Sequence, residues 1–120
     1  MPHITVDYSE SLTEAFDRHG FARELHPLTA GIARTAVGNC KTRFRRVEET
    51  YVAEGAPGNA VVHVEITLLH GRTDEVKTEL SEAVLALLRT RVASVPDVTV
   101  HASVDIRELG PAYRKHVTTA

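Results

Sequence analysis

The sequence has little of several residue types, and each shortage excludes a class of protein. Cys40 is the only cysteine, so the chain can form neither an internal disulfide nor a thiolate metal cage. The longest purely apolar run is 83–88, far short of the ~20 residues that a membrane-spanning helix needs. Neither charge sign is in excess, because 14 Lys and Arg stand against 16 Asp and Glu. The chain therefore lacks a broad basic surface for nucleic acid or an anionic membrane.

The chain is short enough for one domain. Its 120 residues, 42% of them hydrophobic, can bury an ordinary core. We expect one domain over 1–110, with half-repeats of about 1–55 and 59–109, and a tail over 111–120 that packs loosely or reaches a neighbour. The first residues carry neither a basic segment nor an apolar signal core, which predicts a cytoplasmic protein.

Four segments alternate between apolar and polar residues, which is typical of half-buried strands. They are 2–8, 39–52, 62–68 and 98–107. The second is the least regular. It turns Cys40 and Phe44 towards the core and loses its alternation near Arg46 and Val47, where we expect a bulge or a strand end.

Two helical segments separate these strands. Residues 73–95 repeat apolar side chains at helical spacing, with Thr73 as the predicted N-cap and Pro96 as the stop. Residues 11–36 are less regular. Ser11 and Glu14 suit a capping box, whereas a glycine and a proline further on, Gly20 and Pro27, predict a broken or kinked helix.

The order of elements is β-α-β, a Gly/Pro turn, and β-α-β again. The halves repeat at an offset near sixty, which pairs His3 with His63 and Val6 with Ile66 on matching faces. A helical crossover makes the two strands of each half parallel. We predict an α/β (α+β) fold in which a four-stranded mixed sheet carries two helices on one face. The polar outer face is either solvated or covered in an oligomer, and the pattern leaves both open.

Pro2 is the first candidate for chemistry. If Met1 is removed, Pro2 presents a secondary amine, and its alternation with Ile4 and Val6 predicts apolar surroundings. Desolvation and nearby cations lower the pKa of an amine, so Pro2 would serve as a general base near neutral pH. The alternative is that Pro2 merely starts a strand.

Cations gather near Pro2 if the predicted topology is right. A parallel second strand places Lys41 and Arg43 beside the start of the first. An antiparallel contact between the first and third strands adds Arg72 and a helix N-terminus, a combination that favours small carboxylates. The alternative is that these residues are solvated, which is the interpretation we prefer for Arg45 and Arg46.

Metal and thiol chemistry have little support. His3, His63 and His101 share one face by alternation, but antiparallel strands would separate His3 from His63, so we predict no metal site. Cys40 lies on the core-facing side and reads as a small buried hydrophobic residue.

The opening MPHITVDYS, the segment VHVEITLLHGRT over 62–73 and the doubled β-α-β plan resemble the 5-carboxymethyl-2-hydroxymuconate isomerase family of the tautomerase superfamily. The resemblance runs from Met1 to about Leu109. It implies a tautomerase-like fold, a homotrimer, no cofactor, and a Pro2 that moves a proton between a dienol oxygen and a carbon of an aromatic ring-cleavage product. It also implies that Arg72 binds carboxylate and stabilises enolate charge. Lys41 stands where the family has arginine. Lysine keeps the positive charge but cannot bind a carboxylate through two parallel hydrogen bonds as arginine does. Arg43 matches a family arginine.

We therefore expect a cofactor-free isomerase of small unsaturated 2-hydroxy or 2-oxo (di)carboxylic acids from aromatic catabolism. Pro2 and Arg72 would be catalytic, and Lys41 and Arg43 would bind the substrate. Two alternatives remain: a superfamily decarboxylase or hydratase that uses the same amine, and a non-catalytic trimeric scaffold or small-acid-binding protein with this fold. A retained Met1 would favour the second, because it turns the Pro2 nitrogen into an amide.

Overall fold

The computed structural model describes all 120 residues, in an alternating order of strands and helices. The strands are β1 (His3–Ser9), β2 (Lys41–Val47), β3 (Asn59–Leu68) and β4 (Thr99–Glu108). The helices are α1 (Arg18–Ala33) and α2 (Asp74–Arg91), and single 3-10 turns cover Glu10–Leu12 and Val37–Asn39. All four predicted strands are present, and β2 ends at Val47, where the sequence predicts either a bulge or a strand end. Neither helix is long and apolar enough to cross a membrane.

The four strands form one mixed sheet in the order β2-β1-β3-β4. Each half contributes a parallel pair, β1 with β2 and β3 with β4, as the crossover helices require. The halves meet through β1 and β3, which run antiparallel. In that register Thr5 lies opposite Glu65, its counterpart in the sequence repeat, so the pseudo-twofold axis of the fold passes through this pair. The predicted fold class is confirmed.

Both helices pack on one face of the sheet. The alternate residues of β1 and β3 that point to this face are buried, and so are the helix residues that pack against them. These fully buried side chains include Ile4, Val6, Val62, Val64, Ile66, Phe21, Leu25, Leu80, Val84 and Leu88. Burying a side chain of this size contributes roughly 1.5–3 kcal/mol, so this layer supplies the main stabilisation of the fold.

The start of α1 differs from the prediction. Ser11 lies in a 3-10 turn, and the helix begins at Arg18 with Asp17 as its N-cap. The Asp17 carboxylate accepts a hydrogen bond of 3.1 Å from the backbone N–H of Gly20. The predicted capping box of Ser11 and Glu14 is wrong because the residues that follow it are held in a bridge to the segment after α2.

The predicted break in α1 is also wrong, because the helix is continuous from Arg18 to Ala33. Gly20 occupies the first turn, where a Cβ would collide with the Asp17 carboxylate, so glycine there serves the cap. Pro27 is exposed and removes one backbone donor from the helix. The packing of the buried face of α1, which includes Phe21 and Leu25, stabilises the helix despite this missing hydrogen bond.

The start of α2 is as predicted and its end is earlier. The Thr73 hydroxyl accepts from the N–H of Val76 at 3.2 Å, which confirms the N-cap. The helix ends at Arg91, well before Pro96, because the Arg91 carbonyl accepts from the N–H of Asp17 at 2.9 Å. Val92 then pairs with Phe16 in a short bridge, which ties the two helices together.

Candidate active site

Pro2 lies at the buried entrance to β1. Pro2 is buried, and its carbonyl accepts a hydrogen bond of 3.2 Å from the backbone N–H of Lys41. It shares the core-facing side of the strand with Ile4 and Val6, both without solvent exposure. The apolar surroundings that the alternation predicts for Pro2 are therefore present, and half-buried Met1 precedes it.

Positive charge surrounds the chain terminus. Burial lowers the pKa of the Met1 α-amine, and the charges of Arg72, Lys115 and Lys41 lower it further, with only Cys40 opposing them. The Pro2 nitrogen lies one residue further along, a Cα step of about 3.8 Å. An amine formed at Pro2 would be close to the same cations, which favour its neutral, basic form.

Arg72 is anchored by two hydrogen bonds to backbone carbonyls. It is half-buried, its Nε donates to the carbonyl oxygen of Ala33 at 3.0 Å, and its Nη1 donates to that of Leu69 at 3.1 Å. A guanidinium has five N–H donors, so donors remain for a ligand. Arg72 lines an open depression of about 450 Å³ at the start of α2, together with Arg34 and His70. Pro2 is not part of this lining.

Lys41 and Arg43 occupy different surroundings. Lys41 lies beside His3 in the parallel register, and its Nζ donates to the carbonyl of Asn39 at 3.1 Å. The Nη1 of Arg43 is 3.4 Å from Nδ1 of His3, on the polar side of the sheet. Of the three predicted cations, Arg72 and Lys41 lower the pKa of the terminal amine, whereas Arg43 contacts His3.

The neighbouring arginines of β2 have no place at this site. Arg45 makes two hydrogen bonds to Asp7, of 2.7 and 3.0 Å, and these hold the pKa of the Asp7 carboxyl below its usual range. Arg46 is exposed and forms no salt bridge. Both belong to the solvated surface of the sheet, as expected.

The histidines of the outer face each have their own partner. The ring of His63 lies 2.6 Å from the hydroxyl of Ser103, and that of His101 lies 3.0 Å from Oδ1 of Asn59. No group of three side chains is placed to hold a metal ion. Cys40 is buried, as the alternation predicts, and burial raises the pKa of its thiol, so the thiol stays neutral.

The C-terminal tail contacts the start of the chain, which the sequence does not indicate. The expectation was a tail that packs loosely or reaches a neighbour. Instead Tyr113 is half-buried, with its hydroxyl 2.9 Å from Nε2 of His3, and Nζ of Lys115 lies 3.3 Å from the sulfur of Met1. More than a hundred residues separate the two partners of each contact, so no local sequence pattern predicts either contact. The one local feature that could have indicated this contact is an aromatic residue followed by two basic residues, at 113–115 of the tail.

The doubled β-α-β sheet with both helices on one face is the tautomerase-like fold that the resemblance implies. The sequence model of the family described as "5-carboxymethyl-2-hydroxymuconate isomerase" matches residues 2–118. The chain belongs to this isomerase family, within the tautomerase superfamily.

The chain is also similar to individual proteins over most of its length. The chain is similar to the 5-carboxymethyl-2-hydroxymuconate Delta-isomerase of Escherichia coli, with 27% identity over 92% of this chain and 89% of the relative. A crystal structure of a 5-carboxymethyl-2-hydroxymuconate isomerase from Deinococcus radiodurans R1 has a TM-score of 0.77 and 24% identity, covering 97% of this chain and 90% of that one. A second structure, of a 5-carboxymethyl-2-hydroxymuconate delta-isomerase, has a TM-score of 0.85 and 16% identity, over 98% and 89% of the two chains.

The fold extends beyond that family. A structure described as a fused 4-OT wild-type symmetric trimer has a TM-score of 0.71 and 17% identity, covering 89% of this chain and 85% of that one. At this identity the likeness concerns the fold. Neighbours that share the fold thus include a trimer.

Proposed function

We propose that this chain is a cofactor-free isomerase that moves a proton within a small unsaturated 2-hydroxy or 2-oxo acid with two or more carboxylates, of the 5-carboxymethyl-2-hydroxymuconate kind. Pro2 is the proton carrier, once Met1 has been removed. The observation that carries the proposal is the convergence of burial and three cations, Arg72, Lys115 and Lys41, on the amine at the chain terminus. The family to which the chain belongs supports the same reaction class.

The proposed reaction needs only one proton carrier. The neutral Pro2 amine takes the proton of the dienol hydroxyl, the electron pair of that O–H bond forms the carbonyl, and the conjugated double bonds shift. The carbon at the far end of the conjugated system then takes the proton from the Pro2 ammonium, which returns to the neutral amine. Nothing is oxidised or reduced, so the balance requires no cofactor. A base with a pKa near the working pH suits both steps.

Arg72 is proposed as the residue that stabilises negative charge on the substrate oxygen. Its two hydrogen bonds to Ala33 and Leu69 fix the guanidinium before a substrate arrives. Donors that are already oriented stabilise developing charge without a cost of reorganisation during the reaction. The same cation also favours the neutral form of the Pro2 amine.

Lys41 and Arg43 are proposed to bind substrate carboxylates. Lys41 is exposed and one of its three donors is used, so it offers a mobile point charge. Arg43 contacts His3, and we assign it the weaker role in binding a carboxylate. Neither residue forms a salt bridge within the chain, which leaves both charges available to an anion.

We also propose that the functional form is a homotrimer. The outer face of the sheet is partly exposed and mostly polar, and β2 and β4 are free edges that a second copy can pair with. The trimer among the proteins that share this fold supports the assignment.

The experiment that tests the proposed function compares two forms of the terminus. One form has Pro2 as the first residue, confirmed by intact mass, and the other carries an added residue that makes the Pro2 nitrogen an amide. The free form should convert 5-carboxymethyl-2-hydroxymuconate to its isomer, and the blocked form should bind it with little turnover. NMR of the product separates isomerisation from decarboxylation or hydration. Equal turnover by both forms, or binding without turnover by the free form, would overturn the proposal.

A further inference from the structure

The C-terminal tail returns to the start of the chain. After β4 the N–H of Leu109 donates to the carbonyl of Leu68 at 2.7 Å. The tail therefore begins at the end of the sheet where β3 ends. A turn follows, closed by a 3.1 Å hydrogen bond from the N–H of Tyr113 to the carbonyl of Gly110. Because β1 and β3 are antiparallel, β1 begins at this same end of the sheet. The fold thus places the tail over the chain terminus.

Tyr113 fastens the tail to His3. The two rings meet edge to face, with centroids 5.6 Å apart, and the Tyr113 hydroxyl lies 2.9 Å from Nε2 of His3. The guanidinium of Arg43 can only donate, so Nδ1 of His3, 3.4 Å away, must accept. Nε2 then carries the proton and donates to the Tyr113 oxygen. Three side chains thereby form one chain of contacts from β2 through β1 to the tail.

This arrangement places Lys115 directly at the terminus. Its Nζ lies 3.3 Å from the sulfur of Met1, and no carboxylate of the chain forms a salt bridge with it. Removal of Met1 takes away that contact and empties the space of the Met1 side chain next to Pro2. An ammonium without a partner then faces the newly opened space.

We propose that Lys115, held in place by the contact between Tyr113 and His3, is a third substrate-binding cation of this site and receives one carboxylate of a dicarboxylate ligand. The inference rests on the proposed function only for the identity of the reacting amine. The binding claim stands on the tail contacts alone. A site with cations from three separate segments, Lys41, Arg72 and Lys115, selects a ligand with more than one carboxylate over a monocarboxylate of the same length.

The test measures binding of adipate by calorimetry to protein whose free Pro2 terminus is confirmed by intact mass. Lys115→Ala should weaken binding about tenfold, the loss of one charge-assisted hydrogen bond, and Lys115→Arg should restore it. Arg114→Ala is the matched control, because Arg114 has the same charge one residue away and bonds only to tail carbonyls. Tyr113→Phe, which keeps the ring but loses the hydroxyl, should weaken binding less than Lys115→Ala.

The outcomes separate this inference from the proposed function. If the protein isomerises a dienol acid and Lys115→Ala leaves both KM and the affinity for adipate unchanged, the role of Lys115 is wrong and the isomerase stands. If the protein is inactive but binds adipate in a Lys115-dependent way, the proposed function is wrong and the cation site stands. Equal losses in Lys115→Ala and Arg114→Ala, or no binding of adipate at all, would overturn the inference.

Discussion

The Nε of Arg72 donates to the carbonyl oxygen of Ala33, 3.0 Å away, at the C-terminal end of α1. A carbonyl in the last turn of a helix has no partner within the helix, so this bond satisfies an acceptor that would otherwise need water. It also connects the loop after β3 to α1. The orientation of the guanidinium is therefore set by the two halves of the fold together, and this leads to the first prediction.

Arg72→Ala should lower kcat about 100-fold, the scale expected for one lost donor in a preorganised site. Removing this cation also raises the pKa of the Pro2 amine, so the acidic limb of the kcat/KM profile should move to higher pH. Arg72→Lys should keep most of the pH profile while kcat falls, since the charge remains and the fork is lost. Arg89→Ala is the control, because Arg89 is an exposed arginine on α2 near the other end of the helix. A change confined to KM would show that Arg72 only anchors a carboxylate.

Two glycines of α1 should respond in opposite ways to alanine. At Gly20 a Cβ would collide with the Asp17 carboxylate, so Gly20→Ala should disrupt the N-cap and cost about 0.5–2 kcal/mol of unfolding free energy. At Gly31 the added Cβ would meet no atom within 4 Å other than its chain neighbours and the backbone of its own helix, so Gly31→Ala should gain about 0.5–1 kcal/mol. Urea denaturation of both variants measures the difference. Equal stabilisation by the two substitutions would contradict the assigned cap.

Stability should fall as the pH drops below about 6.5, the usual pKa of histidine. Burial lowers the pKa of His26, and burial together with the charges of Arg43 and Lys41 lowers that of His3. Below pH 6.5 the unfolded chain therefore binds more protons than the folded chain, so the free energy of unfolding decreases down to the folded-state pKa values. Urea denaturation at pH 7.5 and 5.5 should show this loss, and the double variant of His3→Gln and His26→Gln should show less of it. The exposed His116 provides the control, His116→Gln. A loss as large in the double variant as in the parent would contradict the assignment.

A stable homotrimer should be observed in solution. Neighbouring sheets would cover each other's polar faces and pair the free edges of β2 and β4. Sedimentation equilibrium across micromolar concentrations measures the mass directly. A monomer throughout that range would rule out the trimer.

The sheet could be predicted from the sequence because its strands obey a simple period. Alternation places Ile4, Val6, Val64 and Ile66 on one face, and the structure buries all four completely. The repeat and the crossover helices then leave few topologies, and the observed one is among them. The start of α1 and the end of α2 could not be predicted, because the bridge between Phe16 and Val92 fixes both and joins segments far apart in the sequence.

The site divides in the same way. Strand register brings Lys41 next to His3, and the antiparallel contact brings the loop of Arg72 to the same edge, so local patterns indicate both. Lys115 reaches the terminus through a tail without periodicity, anchored by one aromatic contact to His3. That contact depends on the assembled fold, and nothing in the sequence near Lys115 encodes it. The catalytic roles of Pro2 and Arg72 remain predictions.

The kcat of Pro2→Ala towards a dienol acid tests the central claim most directly. The variant must have a free terminus, confirmed by intact mass, and the circular dichroism of the parent. Alanine offers a primary amine in place of the secondary one, so some activity should remain. We predict a loss of kcat of roughly 100-fold, the scale of a misplaced general base. An unchanged kcat would remove Pro2 from the mechanism.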